Sequence, residues 1–165
     1  MKYFAYGSNM SLPRLKQRVP SAQRIGMFTL VEHSLRFHKH SKIDGSAKCD
    51  ALFTGNPDDS VIGAVFDILE HEKGRLDLVE GLGFGYREKQ VTVTDAQGYS
   101  LEAFTYYATS TDSSLLPHSW YVHHVVQGAI ETGVPAAYLN AITAIESQED
   151  PDRGRDARER AIHGK

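Results

Sequence analysis

Two short stretches carry residue types that can exchange a proton beside an accessible main chain. In "YFAYGSNMS", residues 3–11, an apolar run stops at Tyr6 and gives way to Gly-Ser-Asn ahead of a helix start at Ser11. Gly7, Ser8 and Asn9 are turn formers, so a tight turn accounts for them on structural grounds alone. Their position adds a functional reading. Where a strand feeds a helix start, several main-chain N–H groups lack internal partners and converge, which suits an anion or a polarised carbonyl. Gly7 would let a ligand approach the main chain closely. The loop is a candidate cradle for a small carboxylate or carbonyl. It is not a P-loop, which needs Gly-Lys-Ser/Thr, nor a nucleophile elbow, which needs a second glycine after the serine.

The second stretch is "RLDLVEGLGFGY", residues 75–86. Glu80 falls in the last turn of a helix closed by Gly81. The helix dipole disfavours a negative charge there, and Leu76, Val79 and Leu82 offer little hydration. An exposed helix end is the structural explanation; a carboxyl group held ready to exchange protons is the functional one. The glycines that follow leave room for a ligand.

Other constellations carry less. His38 and His40 would share a strand face and His123 and His124 lie on a helix, but no carboxylate or cysteine stands at ligand spacing to complete a zinc site. A Ser/His/Asp hydrolase built on Ser8 is open in principle, because triads assemble from distant positions. The single cysteine, Cys49, reads as a core residue at the head of an apolar run and leaves no possibility of an intramolecular disulfide.

The elements that must position Tyr6–Asn9 and Glu80 follow from periodicity. Residues 2–6 read as a buried strand, and Ser11 as the N-cap of a helix through about Arg18, with Pro13 in its first turn. Strand-like runs cover 27–38, 51–54 and 61–69. Residues 71–80 form a short helix, and 86–94 with 99–109 form a hairpin around "DAQG". Val122, Val125, Val126 and Ala129, then Tyr138, Ile142 and Ile145, recur at helical intervals. After residue 146 the composition changes: 10 of the last 19 residues are Asp, Glu, Lys or Arg, which predicts a solvated tail. The division is therefore a domain over 1–146 and a charged tail over 147–165. The predicted fold class is α+β: about six strands, mostly antiparallel, in a small closed or nearly closed mixed β-barrel with peripheral helices.

Length and charge narrow the partners. A chain of 165 residues with 41% hydrophobic and 24% charged residues fits one globular domain. A net charge of −3, with no basic track, argues against nucleic acid. No membrane span or signal segment is legible, so the expected location is cytoplasmic. Nothing in the sequence points to an oligomeric state.

"YFAYGSNM", "LDLVEGLGFGY" and "GAIETGVPAAYLNAITAIE", in that order, resemble the γ-glutamylcyclotransferase family over roughly residues 3–146. Met10 stands where the family often has leucine. The resemblance implies a small β-barrel and a reaction in which a γ-glutamyl amide is cleaved by its own α-amine, giving 5-oxoproline and a free amine or amino acid, with no metal or other cofactor. It implies that Glu80 is the catalytic carboxylate. Tyr3, Phe4, Ala5, Tyr6, Gly7 and Ser8 would form the strand-end cradle for the glutamyl group, with Asn9 completing the turn. Tyr121 would contact substrate, as would Tyr106 in "TYYAT", or Tyr107 if the register slips by one. The partner would be a small γ-glutamyl molecule, with residues 38–49 contributing to the wall that selects the leaving amine. Two other readings stand beside it: a non-catalytic module that binds a glutamyl-like metabolite, and an acyl or peptide hydrolase using Ser8.

Overall fold

The computed structural model describes residues 1–164. Five strands close a mixed barrel in the order β1 (Lys2–Ala5), β5 (Ser60–Asp67), β2 (Gln23–Val31), β6 (Tyr86–Thr94), β7 (Ser100–Ala108), with β7 returning to β1. The closing pair, Tyr3 opposite Phe104, is parallel, and the other pairings are antiparallel. Strands β3 (His33–His40) and β4 (Ala47–Phe53) make a separate two-stranded ribbon. The barrel thus has five strands where about six were expected, and the remaining two stand apart from it.

The reason lies at Glu32. Residues 27–38 read as one strand, but Glu32 adopts a left-handed conformation, φ 63°, and breaks the run. Its N–H and C=O are taken up by Asp59 and by Thr54 and Gly55. The chain leaves the barrel there, and the ribbon turns back toward β7. Ala108 N–H donates to the Asp50 carboxylate (2.8 Å), and His40 N–H and Asp112 N–H bond across to Ser110 and His38 carbonyls.

Phe4, Phe66, Phe104, Met10, Leu15, Val61, Val65 and Val93 fill the centre and are fully buried. Each such side chain contributes about 1.5–3 kcal/mol on transfer from water, so this cluster supplies the main force holding the strand ends in place. Outside it, α1 (Leu12–Lys16) starts at Ser11, whose side chain accepts from Arg14 N–H as the N-cap reading requires. A single 3₁₀ turn, Glu70–Glu72, leads into α2 (Lys73–Glu80), two residues later than the periodicity suggested. Gly81 ends α2 in the left-handed conformation, φ 67°, where a glycine is favoured. The hairpin of β6 and β7 matches its expected position.

Helix α3 (Ser119–Thr132) packs directly on the turn that follows β1. Gly128 makes that possible: a Cβ there would lie 2.5 Å from Met10 Cβ and 2.6 Å from Ser11 N. Helix α4 (Ala136–Thr143) follows, held by Tyr138 Oη, which accepts from Ile62 N–H at 3.1 Å.

The C-terminal segment departs from its composition. It forms α5 (Arg153–Ala161), capped by Asp152, and lies against α3. Buried Asp150 accepts from Trp120 Nε1 (2.8 Å) and from Arg155 Nη2 (2.7 Å), and Glu159 pairs with Arg14 at 3.0 Å. Asp150, Arg155 and Glu159 are attachment points here, while Glu149, Arg153 and Arg158 stay exposed. Among the described residues, no helix is long and apolar enough to cross a membrane.

Candidate active site

The end of β1, the end of α2, and single residues from β4, β6, β7 and α3 enclose a small cleft that opens to solvent. Its walls are Tyr3, Tyr6, Gly7, Ser8, Asn9, Cys49, Glu80, Tyr86, Tyr106 and Tyr121. The two stretches singled out in the sequence therefore meet across one cavity. Phe4 and Ala5, expected in the cradle, do not line it. Alternation along β1 turns Phe4 into the barrel core at 0% exposure, and Ala5 is buried as the strand ends.

Glu80 is half-buried and accepts from Asn9 Nδ2 at 2.7 Å. The same Nδ2 reaches Tyr3 Oη at 3.1 Å, and Asn9 Oδ1 accepts from Arg18 Nη1 at 2.7 Å. A guanidinium can only donate, so it fixes which end of the Asn9 amide is oxygen and turns the NH₂ toward Glu80. Arg18 lies in the turn after α1 and had no distinguishing signal in the sequence.

Asp77, one turn before Glu80, anchors the helix. It accepts from Tyr106 Oη at 2.5 Å and from Lys73 Nζ at 2.9 Å. The Leu-Asp-x-x-Glu-Gly pattern thereby acquires a physical sense: Asp at i ties α2 to the barrel through Tyr106, and Glu at i+3 lies on the same side of the helix. Of Tyr106 and Tyr107, Tyr106 is 2% exposed and lines the cleft, while Tyr107 sits outside it beside Lys89.

Tyr86 lines the cleft and was not anticipated; Cys49, read singly as a core residue but within the 38–49 stretch expected in the wall, lines it too. The Cys49 peptide is clamped on both sides: its N–H donates to Tyr121 Oη (2.9 Å) and its C=O accepts from Tyr86 Oη (2.6 Å). Burial pushes the Cys49 thiol up to about 12, which keeps it protonated and unsuited to act as a nucleophile. Gly7 packs on the same residue. A Cβ at Gly7 would meet Cys49 Cβ at 3.0 Å and Tyr121 Oη at 3.4 Å, so a side chain here would be crowded and its neighbours would have to shift slightly.

Burial raises the phenols of Tyr3, Tyr6, Tyr86, Tyr106 and Tyr121 above the ordinary tyrosine value, so all five remain protonated donors. Three of their protons are committed: Tyr6 to the Tyr106 carbonyl (2.6 Å), Tyr86 to Cys49 and Tyr106 to Asp77. Tyr3 and Tyr121 instead accept, from Asn9 and from Cys49 N–H, which leaves each a proton to give to a ligand. The cleft thus offers donors on most sides and one carboxylate, an arrangement suited to a small molecule bearing a carbonyl or carboxylate and an amine.

No histidine lines the cleft, so Ser8 has no histidine partner there for a Ser/His/Asp triad. His38 does pair with Asp50, Nε2 to Oδ2 at 2.7 Å, but neither lines the cleft. Among the described residues no group of three or more His, Cys, Asp and Glu side chains converges as a metal site.

The model of the AIG2-like family matches residues 60–142. Gamma-glutamylcyclotransferase of Bos taurus is 30% identical over 147 residues, which cover 87% of this chain and 78% of the bovine one. The chain belongs to the γ-glutamylcyclotransferase family. The Homo sapiens gamma-glutamylcyclotransferase is likewise 30% identical over 147 residues, with the same coverage. A solved structure of a gamma-glutamyl cyclotransferase matches with a TM-score of 0.86 at 26% identity, covering 100% of this chain and 99% of that one. The overall fold is thus shared with that family member along the whole chain.

Proposed function

We propose that this chain cyclises a γ-glutamyl amide to 5-oxoproline and releases the amine or amino acid, with Glu80 as the proton carrier. The observation that carries the reading is that the Glu80 carboxylate faces the same small cleft as the turn Tyr6–Asn9.

The chemistry asks for such a pairing. The substrate's α-nitrogen arrives as an ammonium and cannot attack until a proton is removed. Once freed, the α-amine attacks the γ-carbonyl carbon and closes a five-membered ring. The tetrahedral intermediate then expels the other nitrogen, which departs well only when protonated. Over the whole reaction the α-nitrogen loses two protons in becoming a lactam N–H, and the departing amide nitrogen gains two in becoming an ammonium. No proton is consumed, and a single carboxylate can serve as base on one leg and acid on the other, worth ~10²–10⁴-fold. Ring closure within one held molecule supplies more, through effective molarities on the order of 10⁵ M or above.

In this reading the Tyr3 and Tyr121 hydroxyls and the main chain at Gly7 and Ser8 hold the glutamyl group and meet the charge that develops on the carbonyl oxygen. In a binding module Glu80 would only pair with the α-ammonium of the glutamyl group, so turnover to 5-oxoproline is what separates the two readings.

The test is product identity. The purified protein is incubated with a set of γ-glutamyl amides and the products are weighed by mass spectrometry. Release of 5-oxoproline supports cyclisation, glutamate points to hydrolysis, and tight binding without turnover points to a binding module.

A further inference from the structure

Lys39 has no part in the reaction as described, and its surroundings are unusual for a lysine. Among the described residues, three other lysines pair with carboxylates: Lys48 with Asp44, Lys73 with Asp77 and Glu88, and Lys2 with Asp67, while half-buried Lys89 meets the His33 ring nitrogen. Lys39 is half-buried and has no carboxylate partner among the described residues. Its ammonium lies over the ring of Tyr86, 4.6 Å from the centroid, and that ring lines the cleft. Its end also rests against Gly85, where a Cβ would come within 2.9 Å of Lys39 Cε and 3.0 Å of Nζ.

Gly85 closes the loop that begins at Gly81, immediately after Glu80; its N–H bonds back to the Gly81 carbonyl at 3.1 Å. The lysine head therefore lies against the loop that follows Glu80 and over the Tyr86 ring, one side chain removed from the cleft wall. A β-bulge between Phe37 and Lys39 interrupts the ladder with β4 here, the kind of irregularity that re-aims a side chain. Burial pulls the Lys39 ammonium below the usual lysine value, and the charge on Glu80 is the foremost influence opposing this, in keeping with the two being near one another.

From this geometry we infer that Lys39 determines specificity by binding a carboxylate on the leaving amine, so that γ-glutamyl amino acids are preferred over γ-glutamyl amines that lack one. The inference rests on the cyclisation reading and extends it to the part of the substrate outside the cleft. Glu80 must protonate the departing nitrogen. In an amino acid only the α-carbon separates that nitrogen from the carboxylate, so a group that recognises the carboxylate has to stand beside Glu80 and outside the glutamyl cradle. Lys39 meets both conditions, and a partly dehydrated ammonium without a partner is well placed to take a carboxylate.

Two substrates that differ only in this group provide the test: γ-glutamyl-alanine and γ-glutamyl-ethylamine, followed by 5-oxoproline release. The wild type is expected to favour γ-glutamyl-alanine in kcat/KM, and Lys39→Met to reduce that ratio by about 10–100-fold, the range for a charge-assisted hydrogen bond. Gly85→Ala, which keeps the charge but pushes the lysine head aside, is expected to reduce the ratio in the same direction, and Lys39→Arg to retain most of it. A ratio unchanged in Lys39→Met overturns the assignment, whether both substrates fall together, as they would if Lys39 held the glutamyl α-carboxylate, or neither changes. Absence of 5-oxoproline from both substrates with wild-type protein is a separate result, and it contradicts the cyclisation reading itself.

Discussion

Asn9 and Glu80, 71 residues apart, are joined by a hydrogen bond of 2.7 Å from the side-chain amide to the carboxylate. It links the turn after the first strand to the end of α2 and is itself set by Arg18 on the far side of the amide. Arg18 does not line the cleft, so its effect on chemistry passes through Asn9. Arg18→Met is expected to lower kcat about tenfold while KM changes by less than about twofold, consistent with ~1.5 kcal/mol for a hydrogen bond to a charged group. Arg18→Lys should recover part of the loss. Steady-state kinetics on the preferred amide checks both.

Tyr106→Phe removes the tie between β7 and Asp77 without changing the ring. Asp77 keeps Lys73, so the expected loss of stability is modest, about 1–2 kcal/mol. Activity should fall further than stability, because the end of α2 carries Glu80. Urea denaturation read beside kcat separates the two effects.

Gly7→Ala places a methyl group 3.0 Å from Cys49 Cβ and at the Tyr121 hydroxyl. Neither neighbour can yield easily, since the Cys49 peptide is held by Tyr86 and Tyr121. A destabilisation of about 1–3 kcal/mol is expected, with KM raised by narrowing of the cleft. Thermal melting and substrate titration would show it.

Acid should loosen the C-terminal helix first. Burial holds His124 down to about 4, and hydrogen bonding with the Arg14 and His124 charges holds Glu159 down to about 2 against the opposing effect of its own burial. Between about pH 6.5 and 4 the unfolded chain binds a proton at His124 that the folded chain excludes, so stability falls as pH drops through that window. Between about 4.5 and 2 the same sign applies to Glu159. Denaturation midpoints measured from pH 7.5 down to 4 should decline, and His124→Gln should flatten the upper part of that decline.

The parts of this site that were legible in the sequence are those whose local chemistry is exceptional. Gly7-Ser8-Asn9 interrupts an apolar strand, and Glu80 precedes a glycine at a helix end; each breaks a local rule, and such breaks concentrate at sites. Cys49, Tyr86 and Arg18 break none. Their part depends on main-chain clamps and an amide orientation made between elements far apart in the chain, which no periodicity encodes. Two features of the fold were hidden for similar reasons. Glu32 takes a left-handed conformation that glycine or asparagine would have advertised, so one apparent strand conceals β2 and β3. Helix α5 docks through Asp150, Arg155 and Glu159, so a search for an apolar stripe passes over it.

The most direct measurement is 5-oxoproline release by the Glu80→Gln variant. Glutamine preserves the volume and can still accept from Asn9, but it cannot carry a proton. With the fold confirmed by circular dichroism and an unshifted melt, kcat is predicted to fall by ~10²–10⁴-fold, the range for loss of a general acid–base group. A folded variant that forms 5-oxoproline at the wild-type rate would contradict the assignment of Glu80 as the proton carrier.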